Sequence, residues 1–142
     1  MQITIESNVG LVRQGLEDLQ GEIPKIGRRR MYDAMVRITS KMKKYPPERP
    51  NQRYVRTFKF RNSWSVNRTD AGYVIKNSAS RKGREYGHWV VGNAYGTTQA
   101  WMHQGRWQLF RDVVDDEIDK LPKEVADKID LVARRKLPQG GM

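Results

Sequence analysis

Hydrophobic positions along this chain change period from segment to segment, and each change marks an element. Gln2 to Glu6 alternates polar residues with Ile3 and Ile5, which predicts a short strand ended by Ser7 and Asn8, residues able to cap the next helix. From Val9 to about Gln20 the apolar positions Val9, Val12, Leu16 and Leu19 fall three or four apart and form one helical stripe. Gly21 and Pro24 interrupt it. Pro24 suits the first turn of a second helix, where its missing N–H is tolerated, and Ile23, Ile26, Met31, Met35, Ile38 and Met42 continue a helical face to about Lys44. Tyr45-Pro46-Pro47-Glu48-Arg49-Pro50 then stops the helix and opens an extended loop.

Beyond the loop, Phe58, Phe60, Asn62, Trp64 and Val66 share one parity and polar residues the other, a strand pattern. Asp70-Ala71-Gly72 reads as a turn, and Tyr73 to Asn77 as the returning arm of a hairpin. Ser78 to Arg84 is a polar, basic surface loop. Tyr86 to Val91 offers a third strand or the start of a buried segment, and Gly92 to Thr98 is again loop. From about Gln104, Trp107, Phe110, Val114, Ile118, Leu121, Val125, Ile129 and Val132 step by three or four. This predicts a long C-terminal helix with its acidic residues first and Arg134, Arg135 and Lys136 last, the order the helix dipole favours. Pro122 predicts a kink or a division into two helices. The expected architecture is a single α+β domain. An N-terminal strand or arm (1–8), helices (9–44) and a C-terminal helix (103–136) accompany a small antiparallel sheet within 56–92, with a frayed tail over 137–142.

Composition sharpens this picture. The chain has 142 residues, and Leu, Ile, Val and Phe make up about a fifth of it, which leaves a thin core for a domain of this size. Part of the surface that must be buried is therefore expected on partner subunits. No run is long and apolar enough for a membrane span, and the absence of Cys excludes disulfides and thiolate chemistry. The first residues lack the basic and apolar blocks of a signal peptide, so the chain is expected to act where it is made.

Charge is unevenly spread. The formal net charge is +11, with 13 basic and 6 acidic groups in residues 1–60, 7 and 2 in 61–106, and 7 and 8 in 107–142. Such a field attracts polyanions or an acidic protein face and carries no base specificity. Lys25, Arg28, Arg29, Arg30, Arg37, Lys41, Lys43 and Lys44 lie on the predicted second helix, and Lys25, Arg28 and Arg29 share a face. Zinc-finger, RRM and homeodomain signatures are missing, so contacts to nucleic acid would be to the backbone. A solvated face is the plainer alternative.

Candidate chemistry is sparse. His88, His103, Glu85 and Arg106 could form an acid/base site of the kind a small metal-free nuclease uses, but no HExxH, paired His or nucleophile elbow supports it. The chain is read as non-enzymatic, without cofactor or metal. Trp89, Trp101 and Trp107 bracket a Gly-containing loop, and residues of this type dominate subunit interfaces; burial in the protomer's own core is the alternative.

The order of these elements resembles a known family. Helices are followed by the stop Tyr45-Pro46-Pro47, then by Arg56-Thr57 leading to Ser63-Trp64 and a hairpin closing on Asn77. Tyr86 to Gly92, a Gly-rich loop and a helix opened by His103-Gln104-Gly105-Arg106-Trp107 complete the likeness. Over about residues 9 to 120 this is similar to the tail-completion, or neck, proteins of long-tailed double-stranded DNA phages. Family members usually carry Thr-Gly where this chain has Thr57-Phe58. The resemblance implies a structural virion protein, assembled in the host cytoplasm, that forms a homo-oligomeric ring at the head–tail junction. Its neighbours would be the connector or adaptor and the tail terminator or tail tube, and genomic DNA would pass through its lumen without sequence recognition. On this reading Lys25, Arg28, Arg29, Arg30, Lys41, Lys43, Lys44, Arg81, Lys82 and Arg84 face DNA or an acidic partner. The subunit interface draws on Trp89, Tyr95, Trp101, His103, Arg106 and Trp107. The competing expectations are a free basic, sequence-independent nucleic-acid-binding protein and a small ribonuclease-like toxin using His88 or His103.

Overall fold

The computed structural model describes residues 3–51, 57–70, 72–93 and 98–137, with side chains in the first helix described from Arg13 onward. The fold is α+β: two long helices and short ones accompany a small antiparallel sheet that packs against them. In chain order the elements are α1 (Ile3–Met42), α2 (Lys59–Asn62), β1 (Trp64–Thr69), β2 (Gly72–Asn77), β3 (Ser80–Arg81), β4 (Arg84–Glu85), α3 (Gly87–Val91), a single 3₁₀ turn (Trp101–His103) and α4 (Phe110–Lys136).

Several of these elements correct the sequence expectations. Ile3 to Glu6, expected as a strand, is the beginning of α1, while Met1 and Gln2 lie outside the described residues. Two isoleucines are too short an alternation to specify a strand, and a strand would need a partner for its backbone groups. The helix also continues through Gly21 and Pro24, where a break was expected. Both residues are exposed, so the carbonyl that loses its N–H partner at Pro24 can turn to water. In α4, Pro122 is likewise exposed and the helix is continuous. It starts at Phe110, later than expected.

The chain divides into two compact units, each contributed to by α1 and α4. One comprises Met1–Met31 with Lys120–Met142. Within it, Gly15 is buried, and a methyl group there would fall on the Lys136 carbonyl oxygen, inside contact distance, and 3.1 Å from Leu137 Cδ2. Glycine is needed here for close approach of backbone to backbone. Ile26 is buried in the same unit, whereas Leu16, Ile23 and Leu131 are exposed.

The other unit, Tyr32–Asp119, holds the principal core. Ile38 and Met42 from α1, Phe60 from α2, Ala79, Val90 and Val91 from α3 and Val113 from α4 are buried together. Met35, Tyr45, Trp64, Ile75, Tyr86, Trp107, Phe110 and Val114 pack around them. The hairpin β1–β2 forms at the expected turn, with Trp64 opposite Asn77 and Thr69 opposite Gly72. The expected strand over Phe58 to Val66 starts only at Trp64, because Lys59–Asn62 forms a helical turn that sends Phe60 inward and brings its ring 5.6 Å from that of Trp64. Arg56, at the expected start of the sheet, lies outside the described residues.

Tyr86 to Val91 is not a third strand. Adjacent Val90 and Val91 are both buried, which a strand with alternating faces cannot arrange on one side. A short helix can. The loop expected over Ser78 to Arg84 contains the small hairpin β3–β4, turned by Lys82 (φ 52°) and Gly83 (φ 76°), the positive-φ pair of a tight hairpin turn.

The buried face of α4 keeps Phe110 and Val114 of the predicted stripe against the core but extends to Val113 and Glu117, which are buried, while Ile118 is 41 % exposed. Glu117, at 1 % exposure, meets two cations of α1: Arg37 Nε donates to its Oε2 at 2.9 Å and Lys41 Nζ to its Oε1 at 2.7 Å. Burial pushes this carboxyl up, but the hydrogen bonds from Lys41 and Arg37 and their charges prevail and hold it below the usual carboxylate range.

These contacts can be tested by substitution. Glu117→Gln keeps the shape and leaves two half-buried cations without their counter-charge, so urea unfolding should show a loss of about 2–3 kcal/mol, at the low end for a buried pair because both cations are partly solvated. Because the folded carboxyl is depressed, its contribution is present above the ordinary carboxylate pKa and is lost as pH falls through the folded value. The wild-type stability advantage over Glu117→Gln should therefore shrink below about pH 4.5. In the other unit, Gly21→Ala meets open space and should stabilise by about 0.5–1 kcal/mol through helix propensity. Gly15→Ala should destabilise by about 1 kcal/mol or more, because overpacking against Lys136 outweighs the same propensity gain.

Candidate functional site

Within Tyr32–Asp119, aromatic residues from segments far apart in sequence converge. Tyr45, just past α1, stacks on Phe58 with ring centroids 5.3 Å apart and meets the edge of Trp107 at 4.9 Å. Phe60 contacts Trp107 edge-on at 5.6 Å, and Trp64 reaches Phe110 at 5.6 Å. Offset and edge-on pairs of this kind add about 0.5–1.5 kcal/mol each to their area burial. The loops are tied in by polar contacts: the Arg61 N–H donates to the Tyr45 hydroxyl at 3.1 Å, Arg106 to the Pro47 carbonyl at 3.0 Å, and Gln99 Nε2 to the Val90 and Trp107 carbonyls.

Phe58 carries the local backbone strain. It precedes α2 with φ 57°, a left-handed conformation in which a β-carbon is unfavourable and glycine is preferred. Its ring is 44 % exposed, stacked on Tyr45 on one side and 5.9 Å from the Arg61 guanidinium. Over this cluster opens a cleft of about 790 Å³. Its aromatic lining includes Tyr45, Phe58, Tyr86 and Trp107, and Lys59, Arg81 and Lys82 bring positive charge. The Lys59 ammonium donates to the Ser80 carbonyl, tying α2 to the β3–β4 hairpin. His103 also lines the cleft; burial, followed by the charges of Arg106 and Arg49, lowers its pKa and favours neutral imidazole. Tyr86 is pushed up by burial and then by Tyr45. The arrangement offers stacking surfaces beside fixed cations, which suits an anionic partner with an apolar or planar part.

The residues singled out by sequence are dispersed. Lys25, Arg28, Arg29 and Arg30 lie on the α1 portion within Met1–Met31, with Lys25, Arg28 and Arg29 exposed. Lys41 binds Glu117 and, at 3.5 Å, Asp116, so its charge is engaged inside its own chain. Lys43 and Lys44 are exposed beside Tyr45 and Phe58. Arg81, Lys82 and Arg84 are exposed on the β3–β4 hairpin.

Of the expected interface residues, Trp101 is 81 % and Trp89 52 % exposed. The two stretches are joined where the Ala100 N–H donates to the Trp89 carbonyl at 2.7 Å. Trp107 is half-buried in the protomer's own aromatic cluster, and His103 and Arg106 are half-buried beside it. Tyr95, like Tyr54, lies outside the described residues. Of the proposed acid/base set, His88 is exposed against the ring of Trp89. Among the described residues, no group of three His, Cys, Asp or Glu side chains could hold a metal ion.

Sequence reasoning misses Phe58 and Glu117. The alternating pattern makes Phe58 an inward strand residue, and nothing in its side chain marks the left-handed backbone it occupies. Glu117 is hidden among neighbouring acids. Comparison with protein-family models, curated proteins and solved structures finds no match.

The backbone at residue 58 is open to a direct test. Phe58→Ala loses the stack on Tyr45 while keeping the strain, and Phe58→Gly loses the stack but relieves the strain. In urea titrations the Gly variant should be more stable than the Ala variant by about 1 kcal/mol. The reverse order would show that the left-handed conformation is not held in solution.

Proposed function

We propose that this chain is a non-enzymatic head–tail joining protein of a long-tailed double-stranded DNA phage. It assembles as a ring between connector and tail, with basic groups toward the DNA passage. The observation that carries this reading is Phe58. The resembled family usually has Gly at this point of the chain, and the residue occupies a left-handed backbone conformation, φ 57°, that glycine favours. A motif position inferred from the order of elements thus coincides with a physical demand for that residue type. The exposed Trp89 and Trp101 further support an assembly role, since large aromatics on a surface suit subunit contacts. Lys25, Arg28, Arg81, Lys82 and Arg84 are exposed cations unaccompanied by a base-reading motif, as a lumen indifferent to DNA sequence requires.

A second reading, a free nucleic-acid-binding protein, draws on the exposed Lys25, Arg28 and Arg29 sharing one face of α1. It requires soluble protein to bind duplex with a salt slope reflecting several phosphates.

The decisive experiment is particle assembly with the gene for this chain deleted and then resupplied. The proposed function expects filled heads and finished tails that stay separate or leak genome, with joining restored by the resupplied chain. Normal infectious particles without it would sink the reading. Steep salt-dependent duplex binding by the isolated chain, together with normal particles, would establish the second.

A further inference from the structure

Within Tyr32–Asp119 the cleft and the outer face of α4 differ in their predominant charge. Among its described lining residues the cleft has no carboxylate; Tyr45, Phe58 and Tyr86 supply aromatic surface, and Lys59, Arg81 and Lys82 supply charge. Arg81 and Lys82 stand on the tight β3–β4 hairpin, which limits how far they can withdraw. The first half of α4 carries the inverse pattern. Asp112, Asp115 and Asp119, spaced i, i+3 and i+7, are exposed on one face, bordered by the exposed Arg111 and by the exposed Ile118 one turn beyond Asp115, so the face carries three carboxylates against one cation. Asp115 and Asp119 lie on the side of the helix away from buried Val113 and Glu117, while Asp112 also borders a groove with Lys41 and Lys44. Among the described residues no ion pair engages any of the three.

One copy cannot bring the two surfaces together. Asp115 and Asp119 face away from the core, whereas the cleft is lined in part by Phe60 and Trp107, which pack in that core. Two copies can.

We propose that the acidic face of α4 from a second copy docks in this cleft, with Ile118 against the Phe58–Tyr45 stack and the carboxylates against Lys59, Arg81 and Lys82. The inference rests on the ring reading above and names the contact that would build such a ring. Different patches on the two copies make a head-to-tail interface, which closes into a ring or propagates rather than ending at a symmetric dimer. Each copy carries a net charge of +11, so copies repel one another as they approach. This acidic face is where that repulsion is locally reversed, and it therefore sets which surfaces can meet.

The sequence contains no Cys, which makes thiol cross-linking clean. A Lys82→Cys, Asp115→Cys chain treated with a bismaleimide should give a ladder of two, three and more covalently joined chains on a denaturing gel. Either single variant, which brings only one thiol to the docked contact, should remain a single chain. In parallel, light scattering should give the single-chain mass of 16.6 kDa for the Asp112→Lys, Asp115→Lys, Asp119→Lys chain. The same loss is expected for the Lys59→Glu, Arg81→Glu, Lys82→Glu chain, and the chain carrying all six changes should recover the wild-type mass. Circular dichroism checks that each variant is folded.

An associating wild-type chain whose mass is unmoved by either reversal, with no ladder, overturns this docking while leaving the ring reading intact. A wild-type chain that stays monomeric at every concentration and gives no ladder also overturns it; the head–tail function is then judged separately by the particle experiment. Loss of duplex binding in the Lys59, Arg81, Lys82 reversal, with mass unchanged, would assign the cleft to DNA phosphates instead.

Discussion

The carboxylate of Glu117 is the constraint on which residues 32–119 depend. A charge held at this depth is tolerated only with counter-charges and hydrogen bonds on both oxygens, and Arg37 and Lys41, one turn apart on α1, provide one to each. Apolar contacts among Ile38, Met42 and Val113 would tolerate a small slide of one helix along the other. A two-pronged ion pair does not, because any slide strips a buried oxygen of its donor. The pair therefore acts as a register pin, converting a non-directional apolar contact into one alignment. The flanking aromatic residues inherit that alignment: Tyr45 lies just beyond the end of α1, and Trp107 and Phe110 lie at the start of α4. Their meeting with Phe60 and Trp64 builds the aromatic cluster.

That cluster lets a chain poor in aliphatic residues make a core. Aromatic rings bury large areas per residue and prefer particular mutual angles, so a few of them replace many methyl groups while fixing geometry. The packing is not free of tension. Trp64 Nε1 and His103 Nδ1 are buried without a hydrogen-bond partner among the described residues, and Phe58 sits in left-handed backbone in the same region. Unpartnered polar atoms and strained backbone persist only where surrounding structure over-determines them. Here the stack on Tyr45 holds Phe58 from one side, while the helical turn of α2 fixes the chain that leaves it.

The outline of this architecture is legible in the sequence. The stop at Tyr45-Pro46-Pro47, the turn at Asp70 to Gly72 and a long C-terminal helix all depend on local chemistry that needs no knowledge of the rest of the chain. The departures share a different character. Val114 packs against the core as its period predicts, but at the next turn Glu117 is buried in place of Ile118; the two lie about 100° apart on the helix, and only the arrival of Arg37 and Lys41 selects Glu117. For the same reason Lys41 is indistinguishable in sequence from part of a solvated basic face. Phe58 and Phe60 alternate as strand residues would, and it is the left-handed turn at Phe58, a backbone event without a side-chain signature, that makes them neighbours on a helical turn. Val90 and Val91 do carry a signal against a strand, since two adjacent buried residues contradict a half-buried sheet. Their β-branched character masks it.

The residues left outside the core have their own logic. Trp89, Trp101 and Met102 remain exposed on the short helical segments, a quantity of apolar surface that would ordinarily drive indiscriminate association. A net charge of +11 opposes that by repelling like molecules once their surfaces come within about 8 Å, the reach of a charge at physiological salt. The two properties act on association in different ways: the net positive charge disfavours contact with another cationic surface and favours one of local negative sign, while exposed aromatic residues supply contact area that charge alone cannot.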